Sequence, residues 1–281
     1  MMQEVSNNVI VATHFRGPSV AAILTDEGYV LIDAPPFPDD ARRWREMLMR
    51  KQEARMRAMI LMDSHPERLL GAYNMKPDVL IAHEYAYDHV RSLPNSYAST
   101  IAGLLTRSAF EQSELSGCKV MHPIVTFGNT LRLNFGNVEL YLEHRPGPMH
   151  GSIWAKYLEQ RILFAGDNVV VGTVPYLNSL YSVQWMAALR ELRHDSFPAD
   201  IIVAGHGNIT VKNAIDPILQ YLETARSRIM EMYENGQSLT ETNRLVNDLL
   251  NYFPPPLESE LASVQQRVRT GLQSIYNEIR G

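Results

Sequence analysis

The stretch "LMDSHPERLLGAYN" (residues 61–74) packs Asp63, His65, Glu67 and Arg68 into a few positions directly after an apolar run, "MRAMILM". An imidazole between two carboxylates at alternating positions is the donor pattern of a metal loop. The guanidinium that follows is a fixed cation in the same place. Three more groups of this kind sit at similar junctions: His150 in "RPGPMHG", Asp167 closing "RILFAGD", and His206 closing "DIIVAGHG". Each lies where an apolar run meets a Gly- or Pro-containing loop, which lets side chains from separate strands reach a common pocket. A divalent ion needs several such donors, and Zn accepts both imidazole nitrogen and carboxylate oxygen. The chemistry would be activation of a water for attack on a carbonyl or phosphoryl centre.

Taken singly, each group also has a plain structural reading. Gly-His-Gly is a common turn, Asp167 could cap a helix, and Asp63 could cap the next helix with Arg68 paired to it. Their joint occurrence in this order favours a site.

The elements that must position these groups follow from the hydrophobic pattern. "NVIVATHF" and "VAAILTDEGYVLIDAP" read as short strands joined by turns. "DDARRWREMLMRKQEA" reads as an amphipathic helix opened by Asp39 or Asp40 as its cap. "MRAMILM" and "DVLIAHE" are buried strands, and residues 84–116 look helical and mobile, with no clear core stripe. A second series contains the strands "PIVTF", "TLRL", "VELYLEH", "SIWAKYL", "RILFAGD" and "DIIVAGHG", with the helix "SVQWMAALRELRH" before the last. From about residue 212, "AIDPILQYLETARSRIMEMYENG", "SLTETNRLVNDLLNYF" and "LESELASVQQRVRTGLQSIYNEI" read as three helices divided at Gly236 and at Pro254-Pro255-Pro256. Strands with helices twice, then a helical tail, imply an α/β sandwich of two sheets flanked by helices. The expected organisation is one domain over residues 1–211 with a helical extension, 212–281, packed on it.

Composition narrows the function classes. The chain has 281 residues, 45% of them hydrophobic, which supplies ample core. The net charge of −5 argues against nucleic acid or an anionic membrane as partner. Cys118 is the single cysteine, so neither an internal disulfide nor a Cys-rich zinc site is expected. The opening "MMQEVSNNVIV" has no basic and apolar leader pattern, and no apolar run is long enough to span a bilayer. These features point to a cytoplasmic protein acting on a small molecule. The apolar stripes of the tail would cover the pocket mouth or form a homodimer surface.

The ordered blocks resemble the metallo-β-lactamase superfamily, in particular its single-domain hydrolases with a C-terminal helical extension. The likeness covers most of the chain and implies a four-layer αββα sandwich. "VAAILTDEGYVLIDAP" is similar to the family's opening hairpin, whose closing Asp, here Asp33, supports the metal loop from behind. "ILMDSHPERLLGAYN" falls where the family carries His-x-His-x-Asp-His. "RPGPMHGSI…RILFAGD" resembles its third-His loop and bridging Asp, and "IIVAGHG" its final His. By that resemblance Asp63 replaces the first His, His65 is the second, Glu67 replaces the Asp, and Arg68 replaces the His of the second metal. Either Pro148 or His150 stands at the third-His position. Asp167 and His206 match directly.

The resemblance implies one cluster of Asp63, His65 and His150 and another of Glu67, Asp167 and His206, with Glu67 and Asp167 as catalytic groups. Asp33, Arg68, His144 and Tyr176 are expected to stand behind the ligands or face substrate. The cofactor would be one or two ions of Zn, Mn or Fe, with none as the limiting case. Arg68 about 5 Å from a cation would repel it by several kcal/mol at an effective dielectric near 20. It would instead pair with Glu67 or Asp167 in the second metal's place.

Two functions remain open on this basis. One is a metal-dependent hydrolase of a (thio)ester, lactone or phosphoester. The alternative is a non-catalytic member of the fold that has lost its metal and serves as a binding or interaction module. The retained His65, Asp167 and His206 tilt the balance towards the hydrolase.

Overall fold

The computed structural model describes residues 2–281 apart from Asn95, Arg107, Asn178 and Pro256. Seven strands form the first sheet in sequence order: β1 (Met2–Ser6), β2 (Val9–Ala12), β3 (Val20–Thr25), β4 (Gly28–Ile32), β5 (Met56–Ile60), β6 (Leu80–His83) and β7 (Val125–Phe127). The first four are antiparallel and the last three join in parallel. The second sheet runs in the order β12-β11-β10-β9-β8, with β8 (Thr130–Phe135), β9 (Val138–His144), β10 (Ile153–Tyr157), β11 (Ile162–Val170) and β12 (Ile201–His206). Only β11 and β12 pair in parallel there.

Alternation along the strands decides the layers. Val9, Val11, Ala21, Ile23 and Ile60 point inward and meet Leu140, Leu142, Ile153 and Phe164 of the second sheet. The intervening Ile10, Ala22, Leu31 and Met59 face outward. They are covered by α1 (Pro38–Lys51), α2 (Pro66–Met75) and α3 (Glu84–Ser92) through Trp44, Leu48, Leu69 and Val90. On the far face of the second sheet, Trp154, Leu163 and Ala165 pack with α6 (Ser182–Arg193), α7 (Asp216–Glu234) and α9 (Leu261–Arg280) through Trp185, Leu189, Ile218, Tyr221, Leu272 and Ile275. The order of layers is therefore helix, sheet, sheet, helix, as the resemblance implied. The helices after residue 212 share one apolar core with α6 and the second sheet.

Some local expectations change. α1 starts at Pro38 with Phe37 at the cap position, so Asp39 and Asp40 lie in its first turn and neither caps it. Pro suits that first position because its missing N–H would have no helical partner. Residues 84–116 form α3, α4 (Tyr97–Leu105) and α5 (Ala109–Glu114). Ala98, Ile101 and Ala102 of α4 pack with Phe37 and Leu70, a small cluster whose short side chains give a weak sequence stripe. The segment "SLTETNRLVNDLLNYF" is a 3-10 turn over Leu239–Leu245 followed by α8 (Val246–Leu250), opened by a capping box of Ser238 and Glu241. No helix among the described residues is long and apolar enough to cross a membrane.

Candidate metal centre

The site lies where β5, β11 and β12 end. After β5 the chain turns at Asp63, whose Oδ1 accepts from the backbone N–H of His65 at 2.8 Å. α2 then begins, with His65 at its cap position and Pro66 in its first turn. Consecutive residues on a helix diverge by about 100°, which separates Glu67 from Arg68. Glu67 lines a cavity with His65, while Arg68 is fully buried beneath it.

Arg68 sits among three carboxylates. Its Nη1 donates to Asp33 and its Nη2 to Asp167, and its Nε lies 3.0 Å from Asp63 Oδ1. Asp33 closes β4 in a left-handed backbone conformation (φ 52°), and its other oxygen accepts from Met62 N–H at 3.1 Å. A fork-shaped cation thus ties β4, the loop after β5, and β11 together. The pairing expected for Arg68 with Glu67 or Asp167 holds for Asp167, but Asp33 and Asp63 are its other partners. Glu67 pairs with imidazoles instead.

Asp167 reaches the site through a distorted stretch of β11. Gly166 adopts φ 53°, and the β11–β12 register shifts on both sides of it. On the partner strand, Gly205 leaves room for Asp167: a methyl group there would sit 2.0 Å from its Oδ1. His206 follows at the end of β12, with Gly207 turning the chain away at φ 92°.

The donors above Arg68 converge. His206 Nε2 lies 2.8 Å from Glu67 Oε1 and 3.7 Å from Asp167 Oδ1, and His65 Nδ1 lies 3.4 Å from the same Glu67 oxygen. One ligand atom each from His65, Glu67 and Asp167 falls within 4.8 Å of the others. Ligands held about 2.1 Å from a tetrahedral ion lie roughly 3.4 Å apart, so these separations are ligand-like. His65 Nδ1 is buried without a hydrogen-bond partner among the described residues, as a nitrogen kept for an ion would be. His65, Glu67 and Asp167 fit one divalent ion, and His206 Nε2 adjoins them 2.8 Å from Glu67 Oε1. A second does not fit, because the guanidinium of Arg68 already engages Asp33, Asp63 and Asp167.

Electrostatics follow from that packing. Burial alone would raise Glu67, but His206 and His65 hold it well below the usual carboxylate range. Burial likewise opposes ionisation of Asp167, and Arg68 and His206 keep it low. Burial pushes Asp33 up to about 7 against the pull of Arg68, and it raises Asp63. His206 rises to about 9, because Glu67 and Asp167 outweigh its burial, and His65 is raised for the same reason. In charge, two imidazolium protons equal one divalent ion, so the cluster can hold either.

His150 is placed elsewhere. Its ring stacks between Tyr85 and Tyr181, with centroids 3.5 and 4.4 Å away, and its backbone carbonyl accepts from His144 Nε2 at 2.7 Å. His144 itself stacks on His83 at 3.8 Å. The expected Asp63–His65–His150 cluster is thus not assembled: Asp63 serves Arg68 and His150 an aromatic stack. His65 instead joins Glu67, Asp167 and His206.

Two cavities meet at His65 and Tyr176. One, of about 350 Å³, is lined by His65, Glu67, Asp167, His206, Thr173 and Arg267 among others. The other, of about 680 Å³, holds Tyr85, His89, Tyr97, His150 and Tyr181. Tyr176 stands edge-on to His65 at 5.7 Å and lines both cavities. Ser64 Oγ and His89 Nδ1, 2.8 Å apart, also line the larger cavity. Sequence reasoning passed over Thr173 and Arg267, because neither lies in a strand-end motif.

Comparison with known proteins agrees with this architecture. The metallo-beta-lactamase superfamily matches residues 15–206. A metallo-beta-lactamase family protein from Thermus thermophilus superposes with a TM-score of 0.70 at 13% identity, covering 98% of this chain and 94% of that one. The stereoselective inverting sec-alkylsulfatase Pisa1 from Pseudomonas sp. gives 0.71 at 14% identity, over 98% of this chain and 49% of its own. A metallo-beta-lactamase from Pontibacter korlensis gives 0.60 at 18%, over 79% and 98%. A comparison with curated proteins finds no match.

Proposed function

The chain belongs to the metallo-beta-lactamase superfamily, and from that premise we propose that it is a hydrolase working with a single divalent ion, in which Arg68 replaces the second. The observation that carries this reading is the division of the site. Asp33, Asp63 and Asp167 surround Arg68, while His65, Glu67 and His206 converge with Asp167 above it.

His65, Glu67, Asp167 and His206 would hold the ion, and the mixed nitrogen and oxygen set suits Zn, Mn or Fe. When bound, such an ion acidifies a water and polarises a carbonyl or phosphoryl oxygen. The chain's own residues supply the rest. Arg68 keeps Asp167 ionised and in one orientation. Glu67, held as a carboxylate by His206 and His65, offers an anionic oxygen to the ion, or to a proton of the attacking water where it is not a ligand. Tyr176 and His65 bound the passage between the two cavities, so the substrate body lies against the tyrosines while its reacting centre faces Glu67 and Asp167. The substrate classes proposed are (thio)esters, lactones and phosphoesters.

The test is turnover of a chromogenic ester, thioester, lactone and phosphoester panel, with and without chelator. The proposal expects hydrolysis of at least one class, lost on chelation and in Asp167→Asn. Turnover indifferent to chelator and to that substitution would contradict it. A second reading, a binding module without metal, is favoured by one observation: Arg68 with protonated His65 and His206 supplies three positive charges to the four buried carboxylates, of which burial already raises Asp33 and Asp63. An absence of bound ion would select it.

A further inference from the structure

Helix α9 lies along the loop that follows β11 and the start of α6, and is fixed there at three places on one helical face. Glu278 accepts from the Ser182 backbone N–H at 3.1 Å and from its hydroxyl. Gly271 packs against Leu177, where an added methyl group would come 3.0 Å from Leu177 Cβ. One turn earlier, Arg267 Nη1 donates to Thr173 Oγ1 at 3.3 Å. Thr173 and Arg267 both line the cavity that contains His65, Glu67, Asp167 and His206.

Arg267 differs from the other cation of the site. Arg68 is fully buried and engaged by three carboxylates. Arg267 is half-buried, and among the described residues no carboxylate lies within ion-pair distance of it. Its bond to Thr173 uses one of five N–H donors in a planar fork, leaving the others for a ligand. The guanidinium is therefore an uncompensated positive charge in the cavity wall, and a planar fork of donors matches an oxyanion.

We infer that Arg267 anchors an oxyanion group of the substrate, a carboxylate or phosphate remote from the bond cleaved, so that the substrates of this site are anionic. The inference deepens the hydrolase reading and rests on it for the word substrate, but the anion site itself stands on Arg267 and Thr173. It also gives the helical tail a role in recognition, since α9 delivers the anchor.

The test is calorimetric titration of the full chain with inorganic phosphate, for wild type, Arg267→Gln and Arg267→Lys, each also in a His65→Ala background that weakens ion binding. The wild type should bind phosphate in the millimolar range or tighter. Arg267→Gln should weaken it about tenfold or more, with partial recovery in Arg267→Lys, which keeps the charge but not the fork. The same ratios should persist with His65→Ala. Absence of phosphate binding by the wild type, or equal affinity in Arg267→Gln, would overturn the inference. So would binding that vanishes with His65→Ala while ignoring Arg267, because the bound ion would then be the anion site. If the protein holds no metal yet binds phosphate through Arg267, the anion site survives and the hydrolase reading does not.

Discussion

Replacing Arg68 with Met keeps much of the side-chain volume and removes the charge. The guanidinium is fully buried, with Asp33 and Asp167 as hydrogen-bond acceptors and Asp63 at 3.0 Å. Its removal leaves three buried carboxylates facing one another. Breaking a buried pair by removing one partner costs about 3–5 kcal/mol, which for a chain of this size is a fall in melting temperature of roughly 5–9 °C. The loss should depend on pH. Asp33 already titrates near 7 because of its burial, and Asp63 is raised by the same cause. At lower pH these groups take up protons and relieve the repulsion, so the variant should lie closer to wild type in mild acid than at alkaline pH. A cation should relieve it as well. The vacated oxygens suit a hard divalent ion, so Mn should stabilise Arg68→Met more than wild type and raise its bound metal by one equivalent. Urea unfolding across pH, with and without Mn, reads all three effects. A loss below about 1 kcal/mol, the scale of an exposed pair, that is also insensitive to pH and to Mn would refute the role assigned to Arg68.

Three further predictions rest on single contacts. His206 has a folded pKa near 9, against an ordinary value of 6.5, so in metal-free protein it contributes stability that is fully present below about 6.5 and lost as pH rises through about 9; the loss, roughly 3 kcal/mol at most, should disappear from urea-unfolding profiles of His206→Asn. Gly205→Ala places a methyl group 2.0 Å from Asp167 Oδ1 and 2.6 Å from its backbone nitrogen; unfolding should show a loss of about 1–3 kcal/mol from overpacking, and metal analysis a weakened site. Glu278→Ala removes the acceptor for the first N–H groups of α6 and the partner of Arg226 at 3.4 Å; denaturation should register about 1–2 kcal/mol.

Much of the architecture was legible because it depends on local pattern. The continuous apolar runs in "VAAILTDEGYVLIDAP" and "RILFAGD" specify strands buried on both faces, which are β3–β4 and β11. Two sheets flanked by helices followed from the order of such blocks, and the four-layer arrangement from the family resemblance. At the site, Asp167 and His206 were legible because each follows a glycine after an apolar run, although β11 continues past Asp167 to Val170. The partners of Arg68 were harder to read, since Asp33, Asp63 and Asp167 come from three separate strand ends and nothing in the local sequence measures their mutual distance. His150 shows the opposite failure. It was one of two candidates, with Pro148, for the third-His position, but Tyr85 and Tyr181, remote in sequence, take its ring. The N-cap of α1 was misplaced because Asp39 and Asp40 suit a first turn as well as a cap, and Pro38 decides between them. Arg267 had no local signature: its significance comes from Gly271 and Glu278 laying α9 on the loop after β11.

The central claim is one ion held by His65, Glu67, Asp167 and His206, with Arg68 in place of a second. Metal content by elemental mass spectrometry, on protein purified without chelator, tests it most directly. The account predicts one equivalent of Zn, Mn or Fe in the wild type and its loss in Asp167→Asn. Two equivalents, or none after incubation with excess Zn and Mn, would contradict it.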